Sequence, residues 1–328
     1  MTDGKPAAGQ RVKAPRRDVH GVLLLDKPIG ISSNDALQKA KRLFQANKAG
    51  HTGSLDPLAT GMLPLCFGEA TKVSGFLLDA DKRYAVTCRL GARTDTADAE
   101  GKVVETKPIP ALGVDLIERA LARFRGAILQ VPPMYSALHH EGQRLYDLAR
   151  EGVEVPREAR PVTILELTMS AWTPDSLSLE VRCSKGTYIR TLVEDVAVAL
   201  GTLAHVTVLR RLSVGPFGLD SVMHTLPELE ARLAEAGPAG LDALLLPVDY
   251  AVLHWPKADL GTDAAWYFTR GQAVFLGGTP GQGLMRVYGE GRFLGIGEIQ
   301  TDGRLAPKRL MNLPVPAAEA STERAVQP

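Results

Sequence analysis

The sequence lacks the features that mark membrane, secreted and disulfide-rich proteins. It has no run of about 18 apolar residues and no signal-type apolar segment near its start, which argues against a membrane span and against secretion. Its three cysteines, Cys66, Cys88 and Cys183, are far apart and odd in number, so neither a disulfide scaffold nor a CxxC zinc site is expected. These absences predict a cytoplasmic protein.

The common cofactor and metal motifs are missing as well. The chain has no GxxxxGK[ST], no GxGxxG after a strand, no HExxH and no GxSxG. Its seven histidines do not cluster with cysteines or carboxylates at metal-ligand spacing, and the adjacent pair His139 and His140 is typical of a polar surface loop. We therefore expect no metal and no cofactor.

Composition is that of an ordinary globular protein, but charge is unevenly distributed. The 328 residues are 45% apolar and 23% charged with a net charge of +1, and this length favours about two domains. Basic residues are in excess in 1–20, 35–48 and 182–211, and acidic residues are in excess in 224–245. The pattern fits either scattered solvated charge or a basic face for a polyanion, and charge alone does not decide between them.

Hydrophobic periodicity divides the chain into a long first part and a short last part. Residues 1–19 and 312–328 lack periodicity, so both ends are predicted to be disordered. Strands alternate with helices up to an acidic helix and boundary near 225–255, and short strands separated by glycines follow. The clearest local predictions are a strand at Gly21–Leu25, a helix after Ser32, strands at 84–90 and 177–183, a helix at 189–200, and a hairpin of Leu284–Tyr288 with Arg292–Ile299.

One segment, GHTGSLDPLATG at Gly50–Gly61, is long for a simple turn. It carries three glycines, a proline, a histidine and the single carboxylate of Asp56. Such a loop can bring backbone close to a bulky ligand and hold one acid in a fixed pose. The same residues also fit a surface loop in which Asp56 makes an Asx-Pro turn.

This segment resembles the catalytic loop of the bacterial tRNA pseudouridine-55 synthases of the TruB type, and the resemblance continues in register along the chain. It covers residues 20 to about 220, and the tail 284–311 resembles the small RNA-binding barrel of these enzymes. At His139 the chain departs from the lysine usual in the family, so no phosphate contact is predicted there. The other matching blocks begin at Gly21–Ser33, Lys82–Tyr84, Gln130–Leu138, Cys183–Leu192 and His205–Leu212.

The resemblance implies an α+β fold with a mixed, mainly antiparallel sheet, followed by a small PUA-like β-barrel. The implied domains are a disordered basic segment at 1–19, a catalytic domain at 20–250, a PUA-like RNA-binding domain at 251–311 and a disordered tail at 312–328. The implied partner is the T-arm of tRNA, bound by a monomer without a membrane or a small-molecule cofactor.

The resemblance also implies an activity, the isomerisation of uridine 55 in the T-loop of tRNA to pseudouridine. The nucleophile falls on Asp56, whose attack at C1′ or at C6 of the base is left open. Arg190 would pair with that carboxylate, and Tyr84 would stack on the flipped uracil and take a proton. His51 and Tyr188 would line the pocket, and Leu209 would offer a backbone contact to the base.

Two other functions fit parts of the sequence. A non-catalytic protein that binds or folds tRNA would need no pocket acid, and Asp56 is present. A nucleoside or glycoside hydrolase would use Asp56 together with a second carboxylate, which the loop does not offer.

The basic segments supply a further expectation about tRNA binding. If they form one face, their cations should follow the phosphate backbone. The candidates for this track are Lys39, Lys41, Arg42, Arg210 and Arg211.

Overall fold

The computed structural model describes residues 15–136, 138–277 and 282–314 of the chain. Its helices are α1 Ser33–Leu43, α2 Ser74–Asp79, α3 Val114–Ala122, α4 Leu145–Arg150, α5 Ile189–Ala199, α6 Leu226–Asp242 and α7 Thr262–Thr269, with 3-10 helices at Gly68–Lys72 and Val248–Val252. Its strands are β1 Gly21–Lys27, β2 Ala49–His51, β3 Thr60–Phe67, β4 Lys82–Leu90, β5 Ala92–Thr94, β6 Val103–Thr106, β7 Gly126–Gln130, β8 His139–His140, β9 Gln143–Arg144, β10 Arg160–Thr173, β11 Ser176–Cys183, β12 Ala204–Val214, β13 Lys257–Leu260, β14 Val274–Phe275, β15 Gly283–Gly289, β16 Arg292–Ile299 and β17 Arg304–Leu310.

An eight-stranded sheet forms the main body of the fold. Its strand order is β1-β3-β12-β4-β11-β10-β7, with β2 added to β3. The neighbouring pairs are antiparallel except β3 with β12, where Thr60 and Gly61 run parallel to Arg210 and Arg211. The predicted mixed, mainly antiparallel α+β fold is therefore confirmed.

The local predictions that rest on periodicity and capping are also confirmed. Helix α1 begins after Ser32, whose side chain accepts a hydrogen bond from the backbone of Asp35, as in a capping box. Helix α5 buries its apolar stripe and ends before Gly201, which has φ +87° and can adopt this left-handed conformation without a Cβ clash. These helices pack because one face of each is apolar, which is what the spacing predicts.

Two apolar layers cover the sheet. Leu23 and Leu25 of β1 point into the larger core with α1, α3, α5 and α6, while Val22 and Leu24 point to the opposite face. This alternation follows from the two-residue period of a strand. The second layer includes Phe217 of the main body together with side chains of the C-terminal strands, so the C-terminal sheet packs on the back of the main sheet.

The C-terminal module is a curled five-stranded sheet of order β13-β15-β16-β17-β14. It is consistent with the predicted small PUA-like domain. The predicted hairpin is β15 with β16. Polar contacts add to the packing: Lys72 Nζ donates to the Leu310 carbonyl at 2.8 Å, and the Tyr288 hydroxyl donates to Asp249. The module is therefore held by side chains of both parts of the chain.

The ends of the chain differ in part from the predicted disorder. Residues 1–14 and 315–328 lie outside the described residues. Within 15–19, however, Val19 is buried and Arg17 forms an ion pair with Asp242. Leu313 in the tail packs against the second apolar layer. An apolar residue at the edge of a polar segment carries no periodic signal, so the sequence pattern does not reveal such contacts.

The predicted boundary between residues 250 and 251 falls inside a 3-10 helix, Val248–Val252, whose Ala251 and Val252 are buried in the second layer. The division into domains at this position remains a prediction. None of the helices in the described ranges combines the length and the apolar character needed to cross a membrane.

Gly61 supports a testable prediction about stability. It has φ +95°, and a Cβ there would lie 2.3 Å from the backbone oxygen of Arg211 on β12. We expect Gly61→Ala to lower the free energy of unfolding by at least about 2 kcal/mol, from strained backbone and from a contact that cannot relax. Gly50→Ala is the matched control, because a Cβ there meets no atom within 4 Å. Urea unfolding followed by circular dichroism measures both, and equal stabilities would contradict the prediction.

Candidate active site

Asp56 lies on the loop at residues 52–59, here called the Asp56 loop, which joins β2 to β3. The segment singled out in the sequence is thus shorter as a loop than predicted, because its two ends are strands. The Ser33 hydroxyl at the start of α1 accepts a hydrogen bond from the Leu55 amide at 2.7 Å and lies 3.1 Å from the Leu55 carbonyl. The side chain of Leu55 is buried, so both polar and apolar contacts hold the loop against α1.

The side chain of Lys27 also holds the Asp56 loop in place by hydrogen bonding. Its side chain is fully buried, and its ammonium group donates to the carbonyl oxygens of Pro28, Ile31 and Pro57 at 2.9, 2.7 and 3.3 Å. Burial lowers the pKa of Lys27 to about 8, although the nearby Asp56 acts in the opposite direction. Sequence reasoning missed this residue; the signal was a lysine at the end of a mainly apolar strand.

Asp56 and Arg190 form a two-point ion pair. Arg190 Nε lies 2.9 Å from Asp56 Oδ2, and Arg190 Nη2 lies 3.2 Å from Asp56 Oδ1. The Arg190 side chain is 5% exposed, whereas the Asp56 side chain is 39% exposed. The guanidinium therefore fixes the carboxylate from the protein side and leaves part of it open to a ligand.

Arg190 also ties two other segments to the Asp56 loop. Its Nη1 donates to the Thr96 carbonyl at 2.8 Å, and its Nη2 donates to the Tyr135 carbonyl at 2.7 Å. Asp98 lies 3.8 Å from Nη1 and is almost fully buried. Asp98 was not identified from the sequence. Its carboxylate accepts hydrogen bonds from the Thr96 hydroxyl and the Glu100 amide, at 2.6 and 3.1 Å.

The electrostatics of Asp56 are a balance between burial and charge. Burial raises the pKa of Asp56 above its ordinary value, the Arg190 guanidinium lowers it, and the neighbouring Asp98 raises it further. The ion pair thus favours the ionised form of Asp56 and opposes the effect of burial, which is the larger of the two.

Tyr84 lies on β4 with its ring packed against the main core. Burial raises the pKa of the Tyr84 hydroxyl, and the guanidinium of Arg211 lowers it. Arg211 stands directly opposite Tyr84 in the register of β12 with β4, so the two side chains lie on one face of the sheet. Asp56 also acts on the pKa of Tyr84, which places both groups in one electrostatic neighbourhood.

Tyr188 and His51 lie at the borders of this neighbourhood. Tyr188 is the N-cap of α5, and its backbone amide donates to Gln130 Oε1 at 3.0 Å. Burial raises the pKa of Tyr188, and Asp56 and Arg190 both act on it. His51 ends β2, and burial, followed by the charge of Arg211, lowers its pKa.

Leu209 has its side chain in the main core and is 6% exposed. Its carbonyl lies 3.5 Å from the Thr60 hydroxyl, at the end of the Asp56 loop. The structure therefore places Leu209 next to the loop, and its contact with a base remains a prediction. His139, where the sequence departs from the family, lies exposed on β8 opposite Arg144.

The predicted basic track needs a correction. Arg211 is 1% exposed and donates to the Met62 and Gly53 carbonyls, so it is not available to a phosphate. Arg210 forms a two-point ion pair with Asp26, at 2.9 and 2.7 Å. Adjacent residues of a strand point to opposite faces of the sheet and can differ completely in burial, which a count of charges does not show. The cations Lys39 and Arg42 of α1, by contrast, are exposed.

Family models match three consecutive parts of the chain. Residues 41–189 match the "TruB family pseudouridylate synthase (N terminal domain)", residues 190–253 match the "tRNA pseudouridylate synthase B C-terminal domain", and residues 256–311 match "Pseudouridine synthase II TruB, C-terminal". The boundary between the second and third of these models, at residues 253–256, separates the main body from the C-terminal sheet, which begins at Lys257.

Curated proteins named tRNA pseudouridine synthase B are similar over most of the chain. The protein of Yersinia enterocolitica is 55% identical over 303 residues, which are 90% of this chain and 92% of that protein. The protein of Nitrosococcus oceani is 55% identical over 296 residues, which are 90% of this chain and 96% of that protein.

Solved structures share the fold. A Cbf5-Nop10-Gar1 complex superposes with a TM-score of 0.66 and 26% identity, over 86% of this chain and 78% of that one. An H/ACA RNP bound to a substrate RNA containing 2'-deoxyuridine superposes with a TM-score of 0.67 and 24% identity, over 90% of this chain and 86% of that one. With relatives of 55% identity that match along nearly their whole length, the chain belongs to the TruB family of pseudouridylate synthases.

Proposed function

We propose that this chain isomerises uridine 55 in the T-loop of tRNA to pseudouridine, as a monomer in the cytoplasm. The observation that carries the proposal is the Asp56 carboxylate, held at two points by a buried arginine and still partly open to a ligand. The tRNA substrate is supported by the relatives, whose curated name is tRNA pseudouridine synthase B.

The reaction breaks one bond between base and sugar, forms another and exchanges one proton for another. The N1–C1′ glycosidic bond breaks, the uracil turns, and a C5–C1′ bond forms; C5 then loses a proton and N1 gains one. Nothing is oxidised and no atom is added in the net reaction, because the proton lost from C5 balances the proton gained by N1. A base within a folded T-loop is stacked, so it must be flipped out before a protein group can reach it.

In this mechanism Asp56 is the nucleophile, and Arg190 keeps it ionised and oriented. The two-point ion pair restricts rotation of the carboxylate, so its free edge is presented in one direction. Because Arg190 also donates to the Thr96 and Tyr135 carbonyls, the segments around the pocket are positioned by the same group that positions the nucleophile.

Tyr84 supplies a flat apolar face and a hydroxyl. Its ring would stack on the flipped uracil, and its oxygen would take the proton that leaves C5. Tyr188 and His51 would border the base, and Leu209 would offer a backbone contact to it.

The two alternative functions fit the site less well. Hydrolysis at a glycosidic bond usually needs a second carboxylate for acid or base work. The nearby candidate, Asp98, is 4% exposed in its side chain and is already engaged by Thr96 and Glu100. A non-catalytic tRNA-binding protein would gain nothing from a buried arginine that holds one carboxylate toward the pocket.

Replacing the nucleophile tests the proposal directly. We expect Asp56→Asn to abolish pseudouridine formation in purified tRNA while tRNA affinity stays within a few-fold of wild type, because the acid serves chemistry rather than docking. Mapping of pseudouridines after incubation measures the product and its position. Ser54→Ala is a control on an exposed residue of the same loop. Turnover by Asp56→Asn, or a product at another position of the tRNA, would contradict the proposal.

Replacing the phenol tests the role of Tyr84. Tyr84→Phe keeps the ring, so we expect uridine binding to persist while turnover falls by on the order of 100-fold or more. Single-turnover kinetics separate the two effects. If Tyr84→Phe turns over normally, the hydroxyl takes no proton and only stacking remains.

The exposed cations of α1 give a prediction about salt. If Lys39 and Arg42 contact phosphates, tRNA affinity should fall with salt on a log–log plot, and Lys39→Ala or Arg42→Ala should each flatten the slope by about 0.7–0.9. The matched control is Arg232→Ala, since Arg232 is an arginine of the acidic helix α6 paired with Glu235. The test measures tRNA affinity of the wild type and of each variant from about 50 to 200 mM salt. A steep wild-type slope that neither α1 variant changes would place the phosphate contacts elsewhere.

A further inference from the structure

Arg211 is a fully buried arginine that no step of the proposed mechanism uses. Its Nε donates to the Met62 carbonyl at 2.7 Å, and its Nη2 donates to the Gly53 carbonyl at 3.2 Å. Met62 belongs to β3 and Gly53 to the Asp56 loop, so the guanidinium joins β12 to the strand and the loop that carry the nucleophile. A side chain of this size is rarely buried without a function for its charge.

The charge of Arg211 is unbalanced within the part of the chain that the structure describes. There, Arg211 forms no ion pair, and the same is true of Lys27 and Lys82, which are buried nearby and bonded to carbonyl oxygens. Arg190 differs, because it has Asp56 within hydrogen-bonding distance. A buried positive charge without a partner costs free energy in the free protein, and it stabilises negative charge that forms beside it.

The group beside Arg211 that can become negative is the phenol of Tyr84. The two residues are paired in the register of β12 with β4. Burial raises the pKa of the Tyr84 hydroxyl, and the charge of Arg211 on β12 lowers it. Cys183 on β11 and Asp56 on its loop both raise this pKa, so they act against Arg211.

We propose that Arg211 is a positioning residue that acts through Tyr84: it anchors the Asp56 loop by the Gly53 carbonyl and supplies the positive charge that stabilises the tyrosinate during turnover. This inference rests on the proposed function and adds a residue to it. Arg211 itself is covered by protein and does not touch the substrate.

The step concerned is the loss of the C5 proton. After C5 has bonded to C1′, it still carries its hydrogen. The tyrosinate oxygen takes that proton: the C5–H bond breaks, its electron pair restores the double bond of the ring, and the phenol O–H forms. Water then supplies the proton that N1 gains, and the tyrosine returns its own proton to water. Without a neighbouring cation the tyrosinate is less populated, so this step slows while cleavage of the glycosidic bond does not.

The experiment compares Arg211→Met with Arg211→Lys in single-turnover assays on tRNA that carries either hydrogen or deuterium at C5 of the target uridine. Methionine removes the charge at similar volume, and lysine keeps it without the planar fork. The control is Arg89→Met, a change on the same strand as Tyr84 at an exposed position. Circular dichroism melting verifies that each variant is folded.

For Arg211→Met we expect the rate to fall by on the order of 100-fold with KM nearly unchanged, and the deuterium isotope effect to exceed that of the wild type. Arg211→Lys should recover most of the rate. A rate equal to that of wild type, a slow rate without a larger isotope effect, or a lysine variant as slow as the methionine variant would each overturn the inference.

The same variants also cover two further cases, a variant that does not fold and a failure of the proposed function itself. If Arg211→Met does not fold, Arg211→Lys decides alone: a rate within about tenfold of wild type supports the role of the charge, and a loss as large as that of Tyr84→Phe overturns it. If the wild type and Arg89→Met convert no uridine, the proposed function fails. If they convert it and Arg211→Met does so equally fast, only the inference about Arg211 fails.

Discussion

The ion pair between Arg190 and Asp56 is the interaction on which the rest of the site depends. One guanidinium holds the carboxylate at two points and also binds the carbonyls of Thr96 and Tyr135. Those carbonyls belong to segments that are distant in sequence, so the pair sets the relative position of three loops. Removing the arginine would leave a half-buried carboxylate without its counter-charge, and burial would then favour its protonated form.

Three cations without an ion-pair partner in the described residues lie buried near the site. Lys27, Lys82 and Arg211 are buried around it and bonded to backbone carbonyls. This arrangement stabilises the fold less than an apolar core of the same volume would. It fits the proposed reaction, in which negative charge would form on the Tyr84 phenol. The same buried cations would thus cost free energy in the free protein and stabilise negative charge that forms during the proposed reaction.

Much of the fold follows from local sequence patterns, whereas much of the site does not. Helices α1 and α5 and the β15–β16 hairpin are predictable from the spacing of apolar residues, a cap and a glycine pair. The pairing of Arg190 with Asp56 was expected only through the family resemblance, because the residues are 134 positions apart. Arg211 was assigned to the surface together with Arg210, since two adjacent arginines on a strand do not show from sequence which of them points to the buried face.

The parallel contact between β3 and β12 explains why Gly61, the buried Arg211 and the Asp56 loop lie close together. Gly61 lies so close to β12 that a Cβ there would be 2.3 Å from the Arg211 oxygen and 2.9 Å from its nitrogen. The close contact between β3 and β12 allows the Arg211 side chain to reach the carbonyls of Met62 and Gly53. On its other side β12 pairs with β4, where Tyr84 lies opposite Arg211. A larger residue at position 61 would separate β3 from β12, and it would move the Arg211 cation away from the Met62 carbonyl and from the Asp56 loop. The glycine that permits the fold at this point therefore also sets the distance between Arg211 and the loop that carries Asp56.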